Sequence, residues 1–482
     1  MIKTKIVATL GPASDTSEMI EALLDDGVDV FRLNFSHGSL EGHAEVLARI
    51  NAARARHGHR AAVMGDLCGP KIRIGAIAPE GQMLRAGERV VIRLGQAPGT
   101  AHEFGTNYDA LVAEVAAGQR VLIDDGQIML RVAEKHADRV VARVVSGGPV
   151  YSHKGVNLPD TQVRAPSITE EDWRCVDWAI AHELDYLALS FVRRADEIRQ
   201  LKNTLRQAEA DIKVIAKIEK PQAVAHLEEI VQAADGVLVA RGDLGVEMQL
   251  AEVPLIQKRI TALGRRLGKP VIVATQMLQS MIENATPTRA EINDVANAIF
   301  DFADAVMLSG ETAVGKHPRA AVEAISQVAA VTEAYLEQEK GPRPRMESEA
   351  ELLTTAAMAR SVAQIVEDTA AKWVVCWTQT GSAGRLLSKA RIGAPILALT
   401  SNRRIAQQMA LHYGVIPRYE PLPGGISELV ARADAFLLAK GWAQAGDAIV
   451  VVAGRPLGDV GTTNTILLHT VTVNSDHSDH SR

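Results

Sequence analysis

YLALSFVRRADEIRQLKNTLRQAEADIKVIAKIE, residues 186–219, places two short apolar runs on either side of an amphipathic segment. The runs 186–191 and 213–219 have strand length, and ADEIRQLKNTLRQAEAD between them has helical period. Strand, helix and strand in that order make one βα unit of a parallel sheet. The same alternation continues outward in both directions. Strands are expected at 3–9, 28–35 and 61–67 before this unit, and at 236–242, 270–276 and 305–310 after it. Helical text such as EMIEALLDDG and AVAHLEEIVQAADG lies between them. Eight buried strands, each followed by a helix, give an α/β fold built on a parallel (β/α)8 barrel. The alternative is a doubly wound open sheet, for which no glycine-rich dinucleotide turn is evident.

The alternation breaks once. Between 71 and 165 the text changes to short alternating runs, GERVVIRL, RVLIDDGQIMLRVAE and DRVVARVVSGG, with Asp125-Gly126 as a hairpin turn. This predicts a small β domain inserted at the barrel mouth, where it can act as a lid. Helical text resumes at SITEED, where Ser167 and Glu170 have capping-box spacing. A long helix at 317–340 leads into KGPRPR, expected to be a linker. Beyond it WVVCW, PILAL and AIVVVAG alternate with helices as a second α/β unit. The division is therefore 1–70 with 166–345 for the barrel, 71–165 for the lid, 346–474 for the C-terminal domain and 475–482 for a disordered tail.

A net charge of −6 with interspersed signs argues against nucleic acid or an anionic membrane as the main partner. Small anionic substrates remain compatible with it. Three scattered cysteines suggest neither a disulfide framework nor a zinc site. There is no apolar run of bilayer length and no charged-then-apolar leader, so a cytoplasmic location is expected.

In such barrels the chemistry sits at the C-terminal ends of the strands. Side chains alternate faces along a strand, so Arg32, Asn34 and Ser36 point one way on the second strand. Asp66 ends the third strand, Lys217 and Glu219 share a face on the fifth, and Arg241 and Asp243 share one on the sixth. Thr275 and Ser309 end the seventh and eighth. Each charged pair could be a structural ion pair, but so many charges at one rim are costly unless ligands complete them. Phosphoryl transfer matches the set. Glu219 and Asp243 offer oxygens to a hard divalent ion, and Arg32 and Lys217 offer fixed cations. Gly242 and Asp243 offer backbone N–H groups to a carboxylate.

At these residues the chain resembles the pyruvate kinase family. TLGPAS, FRLNFSHG, GPKIR, KGVNLP, AKIE, ARGDLGVE, ATQMLQSM, PTRAEINDVANAIFD and MLSGETAVGKHP follow that family's order, and GTTNT matches more loosely. The resemblance implies transfer of a phosphoryl group from phosphoenolpyruvate to ADP, a C-terminal regulatory domain and a homotetramer. It implies that Lys217 stabilises the transition state and that Glu219 and Asp243 ligate Mg²⁺ or Mn²⁺. The resemblance also implies that Arg32 contacts the substrate phosphate and that Gly242, Asp243 and Thr275 hold the carboxylate end. By the same resemblance Arg73 and Lys154 are expected to contact the nucleotide phosphates, with His37 beside the nucleotide.

The chain departs from the family's potassium-dependent members at Lys71, where they carry glutamate, and at Asp66–Lys71, where they usually carry DTKGPE. The other monovalent-cation positions, Asn34, Ser36, Asp66 and Leu67, remain. Lys71 is expected to substitute for the ion, so K⁺ is not required. Cys68 is read as a tolerated substitution. In the second α/β unit, Thr378, Thr380, Gly381 and Ser382 open a helix after a strand, a setting that suits an effector phosphate as well as a ligand-free capped turn. The family implies a sugar phosphate or nucleotide there. The competing functions are another phosphoenolpyruvate/pyruvate barrel enzyme that does not use ADP, and a catalytically inactive regulatory homologue.

Overall fold

A computed structural model describes residues 1–57, 61–339 and 352–473. The eight expected strands form as Lys5–Thr9, Val30–Asn34, Ala62–Asp66, Tyr186–Leu189, Lys213–Ile218, Gly236–Ala240, Val271–Ala274 and Ala305–Leu308. They pair in parallel, and the first closes on the eighth with Lys5 opposite Ala305. Closure excludes the open sheet. One face of each strand packs against the helices; the other fills the barrel, with Val7, Val30, Met64, Ile215 and Leu238 in one interior cluster. The same inward face runs on to the rim, through Val30 to Arg32 and Asn34 and through Ile215 to Lys217 and Glu219. One period of two thus supplies both core and site.

The base of the barrel repeats one device at every second strand. Asp29, Asp185, Asp235 and Asp304 each directly precede an even-numbered strand. Each accepts the backbone N–H of a residue on the preceding odd-numbered strand: Ile6 at 3.0 Å, Val63 at 2.7 Å, Val214 at 2.9 Å and Val271 at 2.8 Å. Each also takes a cation, namely Lys5, Arg54, Lys202 and Lys389 in turn. The last of these comes from the C-terminal domain. That domain also plugs the base, since Ala410 and Leu411 join the cluster inside the barrel and the Tyr186 hydroxyl donates to the Gln408 carbonyl.

The inserted segment carries its own apolar core and a six-stranded sheet, with a two-stranded sheet beside it. Its hairpin joins Arg120–Ile123 to Ile128–Lys135 through Asp124, Asp125 and Gly126, all at positive φ. The capping box after it lies two residues beyond the expected place. Thr169 and Asp172 form it, at the start of helix Glu170–Ala181, while the Ser167 hydroxyl donates to Glu197. The sequence spacing fits both pairs, and the position where the helix begins decides between them.

Helix Pro318–Gln338 follows the eighth strand. The linker KGPRPR and the tail 475–482 lie outside the described residues. The C-terminal domain holds a five-stranded sheet in which WVVCW, as Trp373–Trp377, is central. Four of its strands are parallel, and Thr465–Thr470 is an antiparallel edge.

Candidate active site

At the rim, alternation brings distant residues onto one surface. The Lys217 ammonium lies 2.9 Å from Glu219, 3.2 Å from Asp66 and 2.7 Å from the Ser190 hydroxyl. Arg32 pairs with Asp66 at 2.7 Å and donates to the Thr9 hydroxyl at 2.9 Å. Asp66 therefore sits between the two cations and orients both. Burial works to raise its carboxyl, but Lys217 and Arg32 outweigh burial and hold it below the usual range. Burial would likewise lower Lys217, and Asp66 and Glu219 outweigh it, holding the ammonium well above the ordinary lysine range. Ser190 carries no motif signal and Thr9 only opens TLGPAS, but continuing the alternation along the fourth and first strands finds both.

Glu219 also accepts the Phe191 N–H at 2.8 Å. Asp243 accepts no hydrogen bond among the described residues. Surrounding protein and then the Glu219 carboxylate push its carboxyl up to about 6. Its side chain faces the cleft, so water there offsets part of the rise. Two carboxylates crowding one another, one of them without a donor, fit a divalent cation completed by substrate and water.

The sixth strand corrects one expectation. Arg241 and Asp243 do not share a face, because the strand stops at Ala240 and Arg241–Glu247 is helical. Residues two apart on a helix point in different directions. Arg241 turns away to Asp294 at 2.7 Å and to the Thr275 carbonyl at 2.8 Å. Thr275 has φ of 70°, a conformation that a β-branched residue adopts only when its surroundings enforce it. The Arg241 contacts help to hold it there. The Thr275 hydroxyl accepts the Gly242 N–H at 2.7 Å, so this donor and Thr275 act as one unit.

A cleft of about 350 Å³ separates lid and barrel, lined among others by Lys71, Arg73, Lys154 and Asp243. Lys154 pairs with Asp124 at 2.9 Å, and Arg73 donates to the His153 carbonyl at 2.9 Å. Both cations are thus held by the lid. His43 anchors the His37 carbonyl at 2.9 Å. Lys71 donates to the Ser36 hydroxyl at 2.9 Å, and the Asn34 side chain accepts the Ser36 N–H at 3.2 Å. The Leu67 N–H is engaged with the Ala188 carbonyl at 3.0 Å. Burial pushes the Cys68 thiol up, which disfavours the thiolate a nucleophile needs.

A larger cavity of about 530 Å³ lies far from this chemistry, between the C-terminal domain and the barrel base. Thr378, Thr380, Gly381 and Ser382 line it. Thr378 accepts the Gly381 N–H at 3.0 Å, and the Thr380 and Ser382 hydroxyls meet at 2.9 Å. Helix Ser382–Lys389 runs from this loop to the buried pair with Asp304.

The family model described as "Pyruvate kinase, barrel domain" matches residues 1–322, and "Pyruvate kinase, alpha/beta domain" matches 356–469. The chain belongs to the pyruvate kinase family. The pyruvate kinase of Geobacillus stearothermophilus is 41% identical over 472 residues, covering 97% of this chain and 80% of the relative. Those of Mycobacterium intracellulare and Mycobacterium tuberculosis H37Rv are each 41% identical, covering 97% of this chain and 98% of theirs. Membership makes this a phosphotransferase of the pyruvate kinase type, in a family that uses a divalent metal. No helix of the described residues is long and apolar enough to cross a membrane.

Proposed function

We propose that the chain transfers the phosphoryl group of phosphoenolpyruvate to ADP at the rim around Lys217. The observation that carries this reading is the Arg32–Asp66–Lys217–Glu219 constellation, two cations fixed by buried carboxylates. Phosphoryl transfer is catalysed mainly by position and fixed charge, so cations that need no reorganisation are what it requires. Lys217 and Arg32 meet the phosphoryl charge, while Gly242, Asp243 and Thr275 hold the carboxylate end. Arg73, Lys154 and His37 take the nucleotide. Glu219 and Asp243 hold Mg²⁺ or Mn²⁺, whose charge offsets that of the substrate oxygens. The barrel of 1–70 and 166–345 does the chemistry, the lid of 71–165 covers it and the domain of 346–474 regulates it. The loop at Thr378–Ser382 takes a sugar phosphate or a nucleotide, and the working form is a cytoplasmic homotetramer. Pyruvate formation from phosphoenolpyruvate that needs both ADP and Mg²⁺ tests the core of this reading; formation without ADP would overturn it.

The enzyme works without K⁺. What supports this is that the side chains an ion would use already have internal partners. Ser36 accepts from Lys71, Asn34 caps Ser36, and Asp66 takes Arg32 and Lys217. The Lys71 ammonium supplies the positive field and repels an incoming cation. Turnover in K⁺- and NH₄⁺-free buffer, with tetramethylammonium keeping the ionic strength, should equal turnover with K⁺. Lys71→Glu should make turnover depend on added K⁺. A large stimulation of the parent enzyme by K⁺ would sink the idea.

A further inference from the structure

Glu247 ends the short helix that carries Gly242 and Asp243, and its side chain is only 1% exposed. A carboxylate buried to that degree must be fully partnered. Its partners come from two other parts of the molecule. Asn157, on the lid strand Val156–Asn157, donates its side-chain N–H to Glu247 Oε1 at 2.7 Å. Lys220, the residue directly after Glu219, donates to the same oxygen.

Lys220 connects this pair to the metal-binding carboxylate by a second route. Its ammonium lies over the Phe191 ring, 5.1 Å from the centroid. The Phe191 N–H holds Glu219, and the Phe191 ring covers Gly69, where an added Cβ would come within 2.4 Å of it. Gly69 stands at the entry to the lid, two residues before Lys71. The network therefore touches the chain where it enters the lid, at Gly69, and a lid strand near its exit, at Asn157, and it supports Glu219 and the helix of Asp243.

We propose that Glu247 is a positioning residue, a latch through which lid posture and the divalent-metal site are coupled. This rests on the reading of Glu219 and Asp243 as the metal ligands. Swinging the lid out removes Asn157 and leaves a buried carboxylate with Lys220 alone, a charge-assisted hydrogen bond short. Closure restores that bond and fixes the helix end behind Asp243. A nucleotide that closes the lid then tightens the metal, and the metal tightens the nucleotide by the same factor.

The test is Mn²⁺ binding followed by electron paramagnetic resonance, with and without ADP, in the parent, Asn157→Ala, Glu247→Gln and Glu219→Gln. Asn157→Ala should leave Mn²⁺ affinity without ADP within about twofold of the parent. It should also abolish the gain that ADP confers and raise KM for ADP about tenfold with a smaller change in kcat. Glu247→Gln should weaken Mn²⁺ binding even without ADP, and adding Asn157→Ala to it should have little further effect. An Asn157→Ala enzyme that keeps the ADP-dependent gain and the parent KM overturns the latch. So does one in which Mn²⁺ affinity without ADP, kcat and thermal stability all fall together, since that marks a merely structural contact. Should Glu247→Gln fail to fold, Asn157→Ala alone decides. If Glu219→Gln binds Mn²⁺ as the parent does, the metal-site reading fails instead, separately from the latch.

Discussion

The two ends of the barrel both carry charges, and they use them in opposite ways. At the base, Asp29, Asp185, Asp235 and Asp304 each receive a backbone N–H and a cation. At the rim, Asp66 and Glu219 are partnered by the groups they orient, while Asp243 accepts no hydrogen bond among the described residues and stands at an open cleft. Buried charge that holds both a backbone N–H and a cation belongs to the fold. Charge gathered at a cleft, with a carboxylate that has no donor among the described residues, suits a ligand. The fourth aspartate shows the base device put to a second use, because its cation arrives from another domain. Burial draws the Lys389 ammonium down to about 8 against the pull of Asp304. Asp304 is held below the ordinary carboxylate range, its own burial outweighed by Lys389 and Arg391, so the pair is ionised at neutral pH.

The sharpest way to break the contrast is at that pair. Asp304→Ala should cost about 3–5 kcal/mol in urea unfolding, since it leaves two cations, one of them wholly buried, without their carboxylate. Asp304→Leu with Lys389→Met should recover only the share of the loss due to Lys389, since Arg391 and the Val271 N–H still lack that acceptor. A cost of no more than about 1 kcal/mol for the single variant would show that the base charges do not hold the domains together.

The rim should fail in the other currency. Lys217→Met is expected to lower kcat about 10²–10³-fold, by loss of a fixed transition-state cation, with the fold retained by circular dichroism. Near wild-type kcat would remove Lys217 from the mechanism.

Asp243 gives a pH signature of its own, read in metal affinity and not in stability. Its carboxyl is pushed up towards about 6, less what water at the cleft offsets, and only the deprotonated form binds a cation. Mn²⁺ affinity should therefore fall about tenfold per pH unit below about 6 and level off above about 7. Asp243→Asn should weaken binding and flatten the profile; a flat profile in the parent would count against the assignment.

The smallest effect belongs to the most exposed of the base pairs. Lys202 and Asp235 keep roughly a third and a quarter of their side-chain surface open to water. Asp235→Asn should cost about 1 kcal/mol or less in the same urea titration, because solvent screens the pair and the amide still accepts the Val214 N–H. A loss equal to that of Asp304→Ala would erase the distinction drawn from burial.

The sequence by itself determined the barrel, the inserted β domain and the positions that face the rim. Those features rest on local periods: two along a strand, 3.6 along a helix, and a change of text where the insertion begins. Lys217 and Glu219 were legible as neighbours because residues two apart in extended chain share a face, and that period carries on one residue past the strand's end at Ile218. The motifs carried the rest of the family assignment, yet they did not say what each side chain touches. Only the tertiary structure decided that Asp66 stands between Arg32 and Lys217, or that Ser36 receives Lys71. It also decided that Arg241 leaves its expected face, since a strand ending at Ala240 and a helix starting one residue later turn a period of two into one of 3.6. The base aspartates were invisible in the same way. Asp-before-strand is a common local pattern, and its meaning lies in a partner such as Lys389, 85 residues further along the chain. Local geometry is written in neighbouring residues, whereas partnership across the fold depends on which surfaces meet once burial has brought the elements together.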